Sequence, residues 1–329
     1  MVSVLGVDAG GTKVAAAPVD RTGKMLAPPL VERSETASQE AFLAALTDTL
    51  RRALSQFKVS GVAAVGLACA GTMDAMRGVA VTSPNLPLVE APVVQHLEEA
   101  LGVSVVLEND VNAAVWAESV VGAAIGLRHV VMLTLGTGVG GALLLDGRIY
   151  RGAGGGAGEL GHTTVLAGGL PCQCGARGCL EMYAAGPALV RYASARVRDA
   201  ELDPEDALLA LRKQGQLTGG AIARLAAQGH PGALEAVEQL AGWLGIGLVN
   251  ISNVFNPEMV IVGGGVGEVG EPLLRPAREF LHKKAMAPGR DQVRVVSAKL
   301  GNQAGLVGAG LLGWEAVDAS GEPTGRAGA

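Results

Sequence analysis

The chain has 329 residues, of which 49% are apolar and 17% charged, enough material for about two buried cores and too little polarity for a disordered protein. Its 26 basic and 31 acidic side chains leave a formal charge of -5, which opposes broad attraction to nucleic acid or to an anionic membrane. Aromatic residues make up 3% while glycine fills 49 positions, which argues against base-stacking surfaces and for tight turns and close backbone approach.

Residues 2–7 are an apolar run that reads as a strand, followed by the turn Asp8-Ala9-Gly10-Gly11-Thr12-Lys13 and a second apolar run, 14–19. Residues 41–57 carry Leu43, Leu46, Leu50, Leu54 and Phe57 at helical spacing, with Arg51 and Arg52 on the other face. The runs 62–69 and 103–107 are continuously apolar, as buried strands of an α/β domain with a mixed sheet are. Glu108-Asn109-Asp110-Val111-Asn112 then opens a helix in which either Asp110 or Asn112 can serve as the N-cap. Residues 130–149 repeat the opening plan: a strand to Leu135, a glycine turn from Gly136 through Thr137 and Gly138 to Gly141, a returning strand, and the turn Asp146-Gly147-Arg148. A helical run over 234–253 stops before Asn256-Pro257, where proline forbids continuation. A strand over 259–262 runs into Gly263-Gly264-Gly265, a small-residue helix begins at Ala304, and the glycine- and proline-bearing tail from Ala319 reads as disordered. The uncharged run 130–145 is too short for a bilayer and is interrupted by glycines, and the amino end has no basic leader, so the expected location is the cytosol.

A strand that ends in glycines and returns as a hairpin exposes backbone amides without side chains to keep an anion away, and phosphate is the natural guest. Two such turns can grip a polyphosphate, and Asp8 beside the first stands where a hydrated magnesium ion needs a carboxylate. Neither turn fits the Walker or dinucleotide pattern, because a strand rather than a helix follows the glycines. Cys172, Cys174 and Cys179 lie within eight residues, with Gly175 and Gly178 letting the chain fold back, and His162 can complete a closed Cys3His set of the structural zinc type. Glu159 and Glu181 flank that loop, so fixing a metal there fixes two carboxylates, each able to accept two hydrogen bonds. Cys69, inside an apolar strand, reads as a plain buried thiol.

Both glycine motifs, Asp8 through Lys13 and Leu135 through Gly141, look like the phosphate motifs of the sugar kinase, actin and heat-shock ATPase superfamily. The run from Leu135 through Gly152 to Glu159-Leu160-Gly161-His162, with Cys172-Gln173-Cys174-Gly175-Ala176-Arg177-Gly178-Cys179-Leu180-Glu181, resembles the repressor, open reading frame and kinase (ROK) family over nearly the whole chain to about Trp314, in the form taken by its bacterial ATP-dependent glucokinases. The resemblance implies a two-domain α/β fold of the actin-like, hexokinase-like ATPase type with an interdomain cleft. The small domain would be residues 1–114 completed by the C-terminal helix at about 304–317; the large domain would be 115–303, leaving 318–329 as a disordered tail. It implies transfer of the γ-phosphoryl group of magnesium ATP to the 6-hydroxyl of glucose, with Asp110 as the base and Asn109, Gly71, Asn85, Glu159, His162 and Glu181 as sugar contacts. Asp8, Gly10, Gly11, Thr12, Lys13, Gly136, Thr137 and Gly138 would hold the phosphates, Gly263, Gly264 and Gly265 would form a shelf for adenosine, and the expected assembly is a homodimer or higher homo-oligomer.

Rival enzymes of the same pattern are kinases for N-acetylmannosamine, N-acetylglucosamine or fructose and a polyphosphate-dependent glucokinase, against which the glycine shelf favours ATP. A sugar-responsive repressor would carry a DNA-binding segment ahead of the first phosphate motif, where only seven residues precede Asp8, and an actin-like filament protein has no use for a metal loop with sugar-facing acids.

Overall fold

The computed structural model describes residues 3–57, 61–199 and 206–320 and divides into two compact units. The first holds the residues up to Gly126, the segment Arg151–Ala157 and the residues from Asn302; the second holds Leu127–Tyr150 and Gly158–Gly301.

Unit 1 contains β1 (Ser3–Ala9), β2 (Lys13–Val19), β3 (Leu30–Arg33), β4 (Val62–Cys69), β5 (Thr72–Asp74), β6 (Val79–Thr82), β7 (Val89–Ala91) and β8 (Ser104–Asn109). Five of these form a mixed sheet in the order β3-β2-β1-β4-β8, in which β1 is antiparallel to β2 and parallel to β4, and β4 is parallel to β8. β5, β6 and β7 form a separate antiparallel sheet. One face of the larger sheet, through Leu5, Val7, Val65, Leu67, Val105 and Leu107, buries Phe42, Leu43, Leu46 and Leu50 of the helix Gln39–Gln56. That helix is capped by Ser38, whose hydroxyl accepts from Ala41 N. The opposite side is floored by glycine. A Cβ on Gly66 would lie 1.7 Å from the carbonyl oxygen of Ala309, and one on Gly6 2.4 Å from that of Leu306, so the C-terminal helix Ala304–Ser320 can lie on β1 and β4 only because side chains are missing there. Gly308 does the same for the helix Asp110–Val120, where a Cβ would lie 1.8 Å from Ala113 O.

Unit 2 contains β9 (Val130–Leu135), β10 (Val139–Leu145), β11 (Arg148–Ile149), β12 (Met259–Gly263) and β13 (Arg294–Ser297) in the order β11-β10-β9-β12-β13. β9 is antiparallel to β10 and parallel to β12. Alternate residues Val131, Leu133, Leu135, Val260 and Val262 bury Leu240, Leu244, Leu248 and Ile251 of the helix Pro231–Phe255. That helix starts with proline after an N-capping His230 and ends at a left-handed Asn256.

Several boundaries differ from those expected. β1 runs through Ala9, so Asp8 belongs to the strand and not to the turn, held there by its pairing with Ala15. A break at residue 114 would cut the helix Asp110–Val120, which packs on the C-terminal helix, and the first unit instead continues to Gly126. The C-terminal helix extends past 317 to Ser320, since Val317 is still buried against Val4 and Trp314 and Asp318 pairs with Arg21 at 2.6 Å; residues 321–329 of the expected tail lie outside the described residues. The long helix of unit 2 begins at Pro231 and ends at Phe255, outside the expected 234–253 on both sides. Among the described residues no helix is long and apolar enough to cross a membrane.

Candidate active site

In unit 1 the apolar strand β8 delivers Asn109 and Asp110 to the start of a helix. Asn109, at φ -65° and ψ 146°, is the N-cap in place of Asp110 or Asn112: its Oδ1 accepts from Val111 N at 2.9 Å and Asn112 N at 3.0 Å. Its Nδ2 donates to Gly71 O at 2.9 Å and to Asp110 Oδ1 at 3.0 Å. An amide offers two donor hydrogens and two acceptor lone pairs, so the Asn109 side chain spends its acceptors on the helix start, one donor on Gly71 and the other on orienting Asp110. Asp110 Oδ1 also accepts from its neighbour's amide, Val111 N, at 3.0 Å. Burial, reinforced by the negative charge of Asp8, raises the Asp110 carboxyl to about 6 against those hydrogen bonds, which favour the ionised form. Burial likewise raises Asp8, with Lys13 opposing it.

The first glycine turn closes with Gly10 N donating to Lys13 O at 3.0 Å, and Ser34 braces it by donating its hydroxyl to Gly10 O and its amide to Thr12 O. A Cβ on Gly11 would lie 2.7 Å from Asn85 O, so the loop bearing Asn85 rests directly on this turn. Gly71 adopts φ 118° with its Cβ position 2.4 Å from Thr82 O, a place open to glycine alone. Unit 1 therefore gathers Asp8, Gly10, Gly11, Gly71, Asn85, Asn109 and Asp110 along the ends of β1, β4 and β8. Thr12 and Lys13 are exposed on the far limb of the same turn.

In unit 2 the second turn closes with Gly136 N donating to Gly138 O at 2.9 Å, and Gly186 N donates to Gly136 O at 2.8 Å. Val139 N donates to Glu181 Oε2 at 3.0 Å, and a Cβ on Gly138 would lie 2.3 Å from that same oxygen. The carboxylate of the cysteine loop thus grips the backbone of the glycine turn. Gly264 at φ 80° packs its missing side chain 2.5 Å from Leu135 O, whereas a Cβ on Gly265 would meet nothing within 4 Å. Gly264 is thus explained by packing alone, and Gly265 is the open member of the expected shelf.

The loop folds back through the bridges between Thr164 and Cys179 and between Pro171 and Arg177. Gly175 and Gly178 take φ 90° and 80°, and a Cβ on Gly178 would lie 1.8 Å from Leu166 O. The ligand atoms of His162, Cys172, Cys174 and Cys179 all lie within 4.8 Å of one another, with Cys174 Sγ to Cys179 Sγ and Cys172 Sγ to His162 Nδ1 both 3.6 Å. A tetrahedron with Zn–S bonds of about 2.3 Å has sulfur edges of roughly 3.8 Å, so this donor set fits the group. His162 turns Nδ1 to the sulfurs and Nε2 to Glu159 Oε2 at 3.9 Å, and Glu181 Oε1 lies 3.9 Å from Cys172 Sγ. Glu159 and Glu181 thus both lie against the donor set of the loop.

Sequence reasoning gave no role to Glu108 or Arg151 and considered Asn112 only as a helix cap. Glu108 is 2% exposed and bonded to both of the others. A charged residue at the end of an apolar strand was the available signal; its partner, 43 residues away, was not readable.

Glycine hairpins within two mixed sheets, an oriented carboxyl at a helix start and a Cys3His loop define an α/β protein of the hexokinase-like phosphotransferase class. The ROK family model matches residues 4–315, and the chain belongs to the ROK family. It is 38% identical over 316 residues to a glucokinase of Streptomyces coelicolor, covering 94% of this chain and 97% of that one. Among solved structures it is similar to a ROK family glucokinase from Streptomyces griseus in complex with glucose and AMPPNP, at 37% identity and TM-score 0.84 over 95% of this chain and 99% of that one. It is also similar to a ROK hexokinase from Thermus thermophilus, at 38% identity and TM-score 0.74 over 96% and 99%.

Proposed function

We propose that this protein is an ATP-dependent glucokinase that makes glucose 6-phosphate. The observation that carries the reading is the Asp110 carboxyl, oriented by Asn109 at the start of a helix and raised to about 6, which leaves it ionised yet able to take a proton near neutral pH. The likeness to glucokinases over almost the full length, one of them bound to glucose and AMPPNP, supports it.

In the reaction Asp110 accepts the proton of the 6-hydroxyl as that oxygen forms a bond to the γ-phosphorus; the bond from the γ-phosphorus to the β–γ bridging oxygen breaks, and ADP leaves. Gly10 to Lys13 and Gly136 to Gly138 form the turns that would receive the phosphates, and Asp8 would hold hydrated magnesium, which would neutralise phosphate charge when bound. Gly265 leaves room for the nucleotide. Glu159, His162, Glu181, Asn85 and Gly71 hold ring hydroxyls, Asn109 orients the base, and His162, Cys172, Cys174 and Cys179 hold a structural zinc that stiffens the loop. A cytosolic location suits a thiolate-rich metal loop, and a homo-oligomer that uses neither nucleic acid nor membrane completes the proposal. Glucose 6-phosphate dehydrogenase coupling, with ATP or polyphosphate as donor, tests it: NADP reduction with ATP is expected, and reduction with polyphosphate alone would replace the donor assignment.

A further inference from the structure

Glu108, next to the Asn109–Asp110 turn, has its carboxylate inside the protein. Its Oε1 accepts from Asn109 N at 2.9 Å and Asn112 Nδ2 at 3.0 Å, and its Oε2 accepts from Arg151 Nε at 2.7 Å and Nη2 at 2.5 Å. Arg151 opens the segment Arg151–Ala157, which belongs to unit 1 although its sequence neighbours on both sides belong to unit 2. The segment is mostly glycine and would have little reason to hold one path. It is fixed at Arg151 by the ion pair, and at Gly155, whose Cβ would lie 2.2 Å from Met73 O on β5. Burial raises the carboxyl of Glu315 on the C-terminal helix and the charge of Arg151 opposes that rise, so one guanidinium acts on both β8 and that helix.

Removing a carboxylate from water costs several kcal/mol, and a buried ion pair is no more stabilising on average than an apolar pair of the same volume. What it provides is geometry, because two guanidinium N–H groups converging on a single carboxylate oxygen admit few orientations of the partner. Here the partner's other oxygen holds the amide of Asn109 and the side chain of Asn112, which stand on either side of Asp110 in sequence.

We propose that Glu108 and Arg151 are a positioning pair for the kinase reaction: they lock the turn that aims Asp110 and seat the glycine segment 151–157 beside the loop that bears Gly71. The proposal rests on Asp110 being the base.

The test is a cycle of Arg151→Gln, Glu108→Gln and the double variant, with Arg151→Lys alongside. R151Q leaves a buried carboxylate without its cation, and E108Q sets an amide NH2 against either the guanidinium or the Asn109 amide. Each single change should lower kcat about ten- to hundredfold, the scale of a misplaced reacting group, while the KM for ATP moves less than threefold. In the double variant the two amides bond each other, and kcat should recover at least about fivefold over R151Q, the non-additivity that marks contacting residues. If R151Q does not fold, R151K reads the same property, since it keeps the charge and loses the fork; kcat should fall with an unchanged melting midpoint. Variants that lose only thermal stability and keep kcat, or a double variant no better than the sum of its parts, would overturn the proposal. The base reading is tested apart from it: loss of turnover in Asp110→Asn together with normal turnover in R151K removes the positioning pair alone, whereas normal turnover in Asp110→Asn removes the base assignment itself.

Discussion

Changing Gly138 to Ala tests whether the cysteine loop and the second glycine turn act as one piece. The new Cβ would stand 2.3 Å from Glu181 Oε2 and 3.2 Å from its Cδ. The carboxylate must retreat by about 1 Å to reach ordinary van der Waals separation, which breaks its 3.0 Å bond from Val139 N. A hydrogen bond to a charged group contributes about 1.5–3 kcal/mol, or roughly 10- to 150-fold in an equilibrium constant. The fold should survive, because Gly138 has no left-handed backbone and the obstacle is the end of a side chain. Gly66→Ala is the contrast: its Cβ would meet the backbone oxygen of Ala309 at 1.7 Å, and the C-terminal helix could not seat. Calorimetric titration of G138A with glucose and with AMPPNP should show both affinities weakened, the sugar through the displaced Glu181 and the nucleotide through the released turn. A folded G138A with both affinities within twofold of wild type would refute the coupling.

Asp110→Asn should lower kcat by about a hundredfold to ten-thousandfold with glucose binding largely kept, and stopped-flow turnover near wild type would remove Asp110 from the mechanism. Because burial and Asp8 raise this carboxyl from 3.8 to about 6, ionised Asp110 costs the fold stability that is fully present only below the unfolded value and is lost as pH rises through about 6. D110N should therefore melt higher than wild type at pH 8 and about equally at pH 4; thermal scans at the two pH values check the sign. In wild type, kcat/KM for glucose should fall on the acid side of about pH 6, and Asp8→Asn should move that limb lower while weakening magnesium ATP, as read from normalised pH profiles. Cys174→Ser should lose zinc by elemental analysis and weaken sugar binding, since the loop carries Glu159 and Glu181; a wild-type protein purified with far less than one zinc per chain would contradict the metal reading.

The parts legible in the sequence were those whose cause is local. Apolar runs on either side of the two glycine turns announced β1, β2, β9 and β10, and cysteine spacing with two glycines announced the loop around His162. What escaped depends on distant partners. β3 and the sheet of β5, β6 and β7 are built from strands of three or four residues, too short for alternation to declare itself. Gly6 and Gly66 look like any other glycines until the C-terminal helix is laid on them, as does Gly308 of that helix until it meets the helix Asp110–Val120. Asn109 could be placed near a sugar by motif, but its capping of the helix follows only from the backbone turn at its own φ and ψ. Glu108 needed Arg151, and Glu181 needed Val139, before either had a structural role.

The central claim is that glucose is the sugar phosphorylated with ATP. It is tested most directly by comparing kcat/KM for glucose, mannose, fructose, N-acetylglucosamine and N-acetylmannosamine under one set of conditions. A site that hydrogen-bonds a hydroxyl at carbon 2 rejects a substituent that can neither fit nor reproduce the bond. Glucose should have the largest constant, with mannose weaker and the N-acetylated sugars weakest; an N-acetylated hexosamine ahead of glucose would contradict the account.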